Sequence, residues 1–88
     1  MTNNKSIESY EKLFKNNEIT QRQLQVLQVL RQDLGFGTNR MIAKALGWDI
    51  NRVTGRVTEL REKGLVVYAG DYHDKETNRT VNLWKPSV

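Results

Sequence analysis

The stretch Thr38–Gly64 constrains the fold more than any other part of this 88-residue chain. Thr38 is a good helix N-cap, and Gly47 ends the helical pattern that follows it after about eight residues. Asp49 then caps a longer helix, which Gly64 ends in a left-handed conformation. The apolar residues of this longer helix recur at the spacing of one buried stripe: Val53, Val57 and Leu60. The stretch therefore predicts a short helix, a tight glycine-containing turn and a second helix.

A further helix is predicted over Thr20–Leu34. Thr20 and Gln23 have the spacing of a capping box, in which each side chain satisfies a backbone N–H group of the other residue. Ile19 and Leu24 occupy the positions of a hydrophobic staple around the same cap, and Gly35 and Gly37 end the helix. A wide apolar face follows from the remaining large residues: Leu24, Val26, Leu27, Val29, Leu30 and Leu34.

A shorter amphipathic helix is predicted over Ser6–Asn16, with Ser6 as its N-cap and Asn16-Asn17 as its end. Its apolar residues are Ile7, Tyr10, Leu13 and Phe14. Such a short helix needs a surface to pack on. That surface is either the core of its own domain or a second copy of the chain, and the sequence does not choose between these alternatives.

After Gly64 the pattern changes from helical to strand-like. Leu65–Gly70 and Thr80–Lys85 are short runs of β-branched, aromatic and apolar residues, and Pro86 ends the second run. The polar residues Asp71–Arg79 between them predict a hairpin with a long tip. The predicted fold is thus mainly α with a small β-hairpin, and we divide the chain into an N-terminal tail and short helix (1–18) and one domain (19–88).

Composition narrows the function classes. The chain carries 14 basic and 10 acidic residues, a net charge of +4, and most of this excess lies from Thr38 onward. A basic surface is compatible with a polyanionic partner without requiring one. There is no cysteine and hence no thiolate metal site. Neither a signal peptide nor a run of about 20 apolar residues is present, so we expect a cytoplasmic protein.

The two helices of Thr38–Gly64 have the spacing of a DNA-binding helix-turn-helix. In that geometry the first helix anchors near phosphate and the second enters the major groove with its first turns. On a helical wheel of the second helix, five residues lie opposite the buried stripe or on the flanks of the helix: Asn51, Arg52, Thr54, Gly55 and Arg56. Asparagine matches adenine and arginine matches guanine through paired hydrogen bonds. These five residues are the predicted recognition-helix contacts.

Gly55 is unusual because a glycine within a helix costs about 1 kcal/mol relative to alanine. On an exposed face it would let the helix approach DNA closely. The alternatives are a tolerated surface glycine or close contact with a protein neighbour.

The run from Thr20 to Lys85 resembles the winged helix-turn-helix superfamily, broadly its MarR-type bacterial and phage regulators. It is most similar to small winged-helix proteins encoded by bacteriophages, in which stretches like TNRMIAKALGW and INRVTGRVTELREKGLV precede a terminal strand with a tryptophan. Asp49 departs from the proline common at that position, although aspartate caps a helix equally well. The resemblance implies a three-helix core with a β-hairpin wing and binding of double-stranded DNA, to which the predicted N-terminal helix is an addition.

The resemblance also implies contacts outside the recognition helix. Thr38, Asn39 and Arg40 at the start of the first helix would contact backbone phosphate, which a helix N-terminus favours. For Thr38 and Arg40 the alternatives are a simple cap and a solvated charge. In the wing tip, three residues are candidate contacts to the adjacent minor groove or backbone, with a merely solvated loop as the alternative: Lys75, Asn78 and Arg79.

Other chemistries find little support. Asp71, His73, Asp74 and Glu76 lie close together in sequence, but a solvated turn explains them better than a metal site. A single histidine, no cysteine and no phosphate-binding glycine loop leave no catalytic arrangement, so no enzyme and no cofactor is predicted. No residue set for a small-molecule ligand is recognisable. Trp48 and Trp84 are interpreted as core or core-edge residues rather than as platforms for single-stranded bases.

Two function classes remain. The first is a binder of double-stranded DNA, acting as a phage or bacterial transcription regulator or as a replication or recombination accessory. The second is a winged-helix adaptor that binds protein and not DNA. A homodimer is expected for a DNA binder, because one such domain offers too small an interface for tight, selective binding. The candidate dimer surface is the N-terminal helix.

Overall fold

The computed structural model describes the backbone of residues 3–87 and the side chains of residues 9–87. Within that range, four α-helices precede two strands that pair as an antiparallel hairpin: α1 (Asn3–Lys15), α2 (Gln21–Gln28), α3 (Asn39–Leu46), α4 (Ile50–Glu62), β1 (Val66–Asp74) and β2 (Arg79–Pro86). The chain is therefore mainly α with a small β-hairpin, as predicted. No helix among residues 3–87 combines the length and apolar character needed to cross a membrane.

The predicted capping box at the start of α2 is confirmed. The Thr20 backbone N–H donates to Gln23 Oε1 at 3.0 Å, and the Gln23 N–H donates to Thr20 Oγ1 at 3.2 Å. The end of the element differs from the prediction of a single α-helix, because a π-helical segment, Val29–Leu34, continues α2. In a π-helix each N–H group donates to the carbonyl five residues earlier, as in the 2.7 Å bond from the Gly35 N–H to the Leu30 carbonyl. Over six residues, apolar spacing does not distinguish this wider turn from an α-helix.

The helix α1 begins at Asn3, so the prediction that Ser6 caps it was wrong. Residues 3–5 contain no glycine or proline that would stop a helix from extending past Ser6. Tyr10 is only 1% exposed and belongs to the core of the domain, and Leu13 packs against that core. The predicted Ile7 lies outside the described side chains. The helix α1 thus covers the core of its own chain, one of the two alternatives left open by the sequence.

The caps and glycine ends of α3 and α4 are where the sequence predicts them. Thr38 Oγ1 accepts a 3.1 Å bond from the Met41 N–H, and Asp49 Oδ1 accepts a 3.4 Å bond from the Asn51 N–H. Gly47 is left-handed with a φ of 70°. The predicted stripe of α4 is buried, and it joins a core built from all four helices and both strands: Tyr10, Ile19, Leu24, Val26, Leu27, Leu30, Ile42, Ala43, Val53, Val57, Leu60, Val66 and Trp84.

The hairpin is longer and its tip shorter than predicted. Asp71 pairs with Asn82 and Asp74 with Arg79, so only residues 75–78 form the tip instead of the predicted Asp71–Arg79. This outer half of the hairpin is mostly exposed on both faces. Its strands are held by backbone hydrogen bonds with no apolar face to bury, so no alternating pattern marks them in the sequence.

Trp84 fastens the hairpin to the helices. Its N–H and carbonyl groups exchange two 2.8 Å hydrogen bonds with the carbonyl and N–H of Gly37, in the segment before α3. The indole is 5% exposed, and the Arg61 guanidinium lies 4.6 Å from its ring centre. The interpretation of Trp84 as a core residue is confirmed. The inner half of the hairpin is consequently fixed on the helical core, while Glu76 of the tip contacts α3.

Candidate nucleic-acid interface

The N-terminal half of α4 exposes polar side chains beside its buried stripe. Asn51, Arg52 and Thr54 are all exposed, and no acidic residue occurs between Ile50 and Thr58. This arrangement follows from the helical period, because Val53 and Val57 turn into the core and leave the intervening positions outside. The structure thus brings three of the five predicted recognition-helix residues to one accessible surface.

Gly55 lies in the same surface with open space around it. A Cβ atom built on Gly55 would meet nothing within 4 Å apart from its own helix backbone and chain neighbours. Close contact with a protein neighbour within the described chain therefore does not explain this glycine. A tolerated surface glycine, close approach to DNA and contact with another protein chain remain as alternatives.

Arg52 and Arg56 differ in their surroundings. Arg56 donates from Nε to Glu59 Oε1 and from Nη2 to Glu59 Oε2, both at 2.9 Å, and its side chain is 28% exposed. This paired bond raises the pKa of Arg56 and lowers the pKa of Glu59. Arg52 is exposed and forms no ion pair with any described side chain. Of the two arginines, Arg52 is therefore the one whose guanidinium is not paired with a carboxylate of the described residues.

The carboxylate that holds Arg56 belongs to a network that joins α4 to α2. Gln23 is 3% exposed and donates from Nε2 to Glu59 Oε1 at 2.7 Å. Gln23 Oε1 accepts a 2.9 Å bond from Lys63 Nζ, which also donates to the Glu18 carbonyl at 2.7 Å. The same glutamine therefore caps α2 and positions α4 relative to it. Local spacing in the sequence predicts the first role but not the second, because the partners of Gln23 on α4 and beyond it are more than 30 residues away.

The start of α3 is joined to α4 by a hydrogen bond between two predicted contact residues. Asn39 Nδ2 donates to Thr54 Oγ1 at 3.3 Å, and that hydroxyl donates to the Ile50 carbonyl at 3.0 Å. Asn39 Oδ1 is buried and has no hydrogen-bond partner among the described residues. Thr38 is 3% exposed, with its hydroxyl occupied by the cap. The side chain of Thr38 therefore acts as a cap in this structure, one of its two predicted alternatives.

Arg40 is held by the wing tip. Its Nε donates to Glu76 Oε2 at 2.7 Å and lies 3.8 Å from Asp74 Oδ2, while Lys44 Nζ lies 3.4 Å from Glu76 Oε1. The hydrogen bond and charge of Glu76 raise the pKa of Arg40, and the two cations lower the pKa of Glu76. Lys44 and Glu76 were not among the predicted contacts. The i, i+4 spacing of Arg40 and Lys44 was the available signal that both side chains share one face of α3.

A groove of about 410 Å³ lies between the starts of α3 and α4 on one side and the hairpin on the other. Asn39, Arg40 and Ile50 line the helical side, and Arg79 and Asn82 lie on the hairpin side. The other wing residues predicted as contacts, Lys75 and Asn78, are exposed at the tip. Asn78 has a φ of 57°, the left-handed turn conformation that asparagine tolerates. Of the predicted contacts, those of α3 and Arg79 of the wing line this concave surface, whereas the predicted contacts of α4, Lys75 and Asn78 are not among its lining residues.

Comparison with known proteins supports the fold. One solved structure that resembles this chain is named "Possible transcriptional regulator from Methanosarcina mazei Go1", with a TM-score of 0.63 and 21% sequence identity. The alignment covers 91% of this chain and 64% of that protein. The two share a fold. The order of α2, α3 and α4 followed by a hairpin is consistent with the predicted winged-helix architecture. No model of a known protein family and no curated protein matches the sequence.

Proposed function

We propose that this chain binds double-stranded DNA through the N-terminal half of α4 and acts as a transcription regulator. The observation that carries the proposal is the exposed, acid-free surface formed by Asn51, Arg52 and Thr54, with an open glycine beside them. An α-helix fits the major groove, where each base pair presents a distinct pattern of donors and acceptors. The name of the archaeal protein with a similar fold supports the regulatory role.

In this proposal Asn51 and Arg52 contact base edges. The amide of Asn51 matches adenine and the guanidinium of Arg52 matches guanine, each through two hydrogen bonds. Thr54 is fixed by its bonds to Asn39 and Ile50 and lies where α3 meets α4. Arg56 contributes to base recognition only after separating from Glu59. We therefore assign the larger share of direct recognition to Asn51 and Arg52.

Phosphate contacts are proposed for the start of α3 and for the wing. The α3 N-terminus, with Thr38, Asn39 and Arg40, favours an anion through its backbone N–H groups and dipole. Arg79 on the groove wall, with Lys75 and Asn78 at the tip, would follow the adjacent backbone or minor groove. The resemblance of the sequence to MarR-type and small phage regulators extends this proposal to a bacterial or phage cytoplasmic protein. The small interface that one such domain offers extends it to binding as a homodimer.

The test begins with selection of bound fragments from random duplex DNA, followed by fluorescence anisotropy on the selected site. A duplex binder loses affinity with salt at a log–log slope of about −0.9 per phosphate contacted. We expect R52A to weaken specific binding by about 1–3 kcal/mol with its thermal unfolding unchanged. K15A removes the same charge from α1 and serves as the matched control. Specific binding that R52A leaves unaltered would exclude the proposed role of Arg52.

The adaptor function is retained as a second candidate on two observations. Arg40 and Arg56, both predicted to contact DNA, each hold a carboxylate of their own chain. Large apolar side chains are also exposed, including Phe36 at 57% and Tyr68 at 53%. An adaptor would show negligible affinity for random and selected duplexes at low salt, whereas the proposed DNA binder would retain at least non-specific affinity.

A further inference from the structure

The wing tip of this chain is acidic where it meets the basic face of α3. Glu76 accepts from Arg40 at 2.7 Å and lies 3.4 Å from Lys44 Nζ. Asp74 adds a second carboxylate 3.8 Å from Arg40 Nε. Arg40 and Lys44 are the basic side chains that α3 offers, and both are thus occupied from within the molecule.

The position of Glu76 is built into the hairpin. Asp74 Oδ1 accepts a 2.9 Å bond from the Glu76 N–H, which fixes the first turn of the tip. Asp74 itself is only 8% exposed, and Asn78 closes the tip in a left-handed conformation. The β1–β2 ladder continues up to the pair Asp74 and Arg79. The carboxylate of Glu76 is therefore held next to α3 by the backbone of the wing and not only by its own ion pairs.

From this geometry we infer that Glu76 is an internal competitor for DNA phosphate at Arg40 and Lys44. The inference rests on the proposed function and adds a regulatory feature to it. A phosphate at the start of α3 and the Glu76 carboxylate require the same guanidinium donors of Arg40. Binding of a duplex breaks the pair between Arg40 and Glu76, so the free protein is stabilised in a form that binds DNA less tightly.

Exposure sets the size of the effect. The side chains of Arg40, Glu76 and Lys44 are 46%, 55% and 79% exposed. Solvent and salt screen such pairs, so they are weak enough for a polyanion to displace. The competition thus lowers affinity without abolishing binding, and its contribution decreases as salt rises.

A double-mutant cycle tests the competition on duplex affinity at low salt. E76Q is expected to bind more tightly than the wild type. If the pair is broken in the complex, this gain is about two- to fivefold larger in the wild-type background than in the R40Q background, the range for an exposed ion pair. E11Q makes the same charge change on α1, and we expect it to have little effect. Equal gains in both backgrounds would show that Glu76 only repels DNA, and would overturn the inference.

A second measurement is independent of duplex binding. Inorganic phosphate is titrated into wild type and E76Q while the NMR signal of the Arg40 Nε–H group is followed. We expect the signal in E76Q to shift at lower phosphate concentration. If no duplex binds but this difference is seen, the proposed function fails while the competition for anions stands. If both proteins respond at the same phosphate concentration, the competition is refuted whatever the duplex result.

Discussion

At the scale of single residues, charge alone does not identify a DNA contact. Arg52 and Arg56 are the same residue type and lie four positions apart on one predicted helix. In the structure, however, only Arg56 forms an ion pair with a carboxylate. That partner, Glu59, is three residues along the same helix, a neighbour visible in the sequence. Its other bond comes from Gln23 on α2, which local spacing does not reveal. The sequence therefore predicts which side chains face outward better than it predicts which charged side chains form ion pairs within the chain.

The Glu59 network makes stability depend on pH at the acidic end. Because Arg56 and then Gln23 lower the pKa of Glu59 below 4.5, the stabilisation is fully present above about pH 4.5 and is lost as pH falls through the folded-state pKa. Solvent screens the pair, so we expect E59Q to lower the free energy of unfolding at pH 7 by about 0.5 kcal/mol. Urea titrations from pH 7 to pH 3 should show this difference shrinking below about pH 4.5.

E62Q is the matched control for that experiment, since Glu62 is exposed on the same helix and forms no ion pair with a described side chain. A difference between wild type and E59Q that is constant down to pH 3 would contradict the assignment of a depressed pKa to Glu59.

At the scale of elements, the sequence predicted best where local chemistry ends a helix. The caps at Thr20, Thr38 and Asp49 and the left-handed Gly47 follow from rules that involve a few neighbouring residues. The hairpin tip was mispredicted because its strands are held by backbone pairing between residues that are polar on both faces. The ion pair between Arg40 and Glu76 was not predicted, because the pairing register of the two strands determines it. That register cannot be inferred from the sequence of a strand that has no apolar face.

Two glycines of the α4 region provide a matched prediction. Gly55 lies within the helix with open space at its Cβ, so G55A should stabilise the fold by about 1 kcal/mol. Gly64 has a φ of 75° at the corner into β1, so G64A should destabilise the fold by about 1 kcal/mol. Thermal unfolding measures both. If Gly55 serves close approach to DNA, G55A will bind duplex more weakly despite its higher stability; unchanged affinity would favour the tolerated surface glycine.

At the scale of the whole molecule, the question is whether the N-terminal helix α1 is an appendage or part of the folding unit. Tyr10 is 1% exposed in the same core as α2 and α4, whereas Phe14, one turn later, is 38% exposed. We expect Y10A to lower the free energy of unfolding by about 3 kcal/mol, the cost of a buried aromatic, and F14A by less than about 1 kcal/mol. Equal small losses in urea titrations would contradict a core role for α1.

The F14A variant also addresses the proposed homodimer. A surface that pairs two copies should use apolar area that the monomer leaves exposed, and on α1 the described candidate is Phe14. If α1 forms the dimer interface, wild type sediments as a dimer at micromolar concentration and F14A as a monomer, with the fold intact. If wild type is already a monomer without DNA, pairing must come from half-sites on the duplex, and a selected site with two-fold symmetry would show it. A wild-type dimer that F14A leaves whole would place the interface elsewhere than on Phe14.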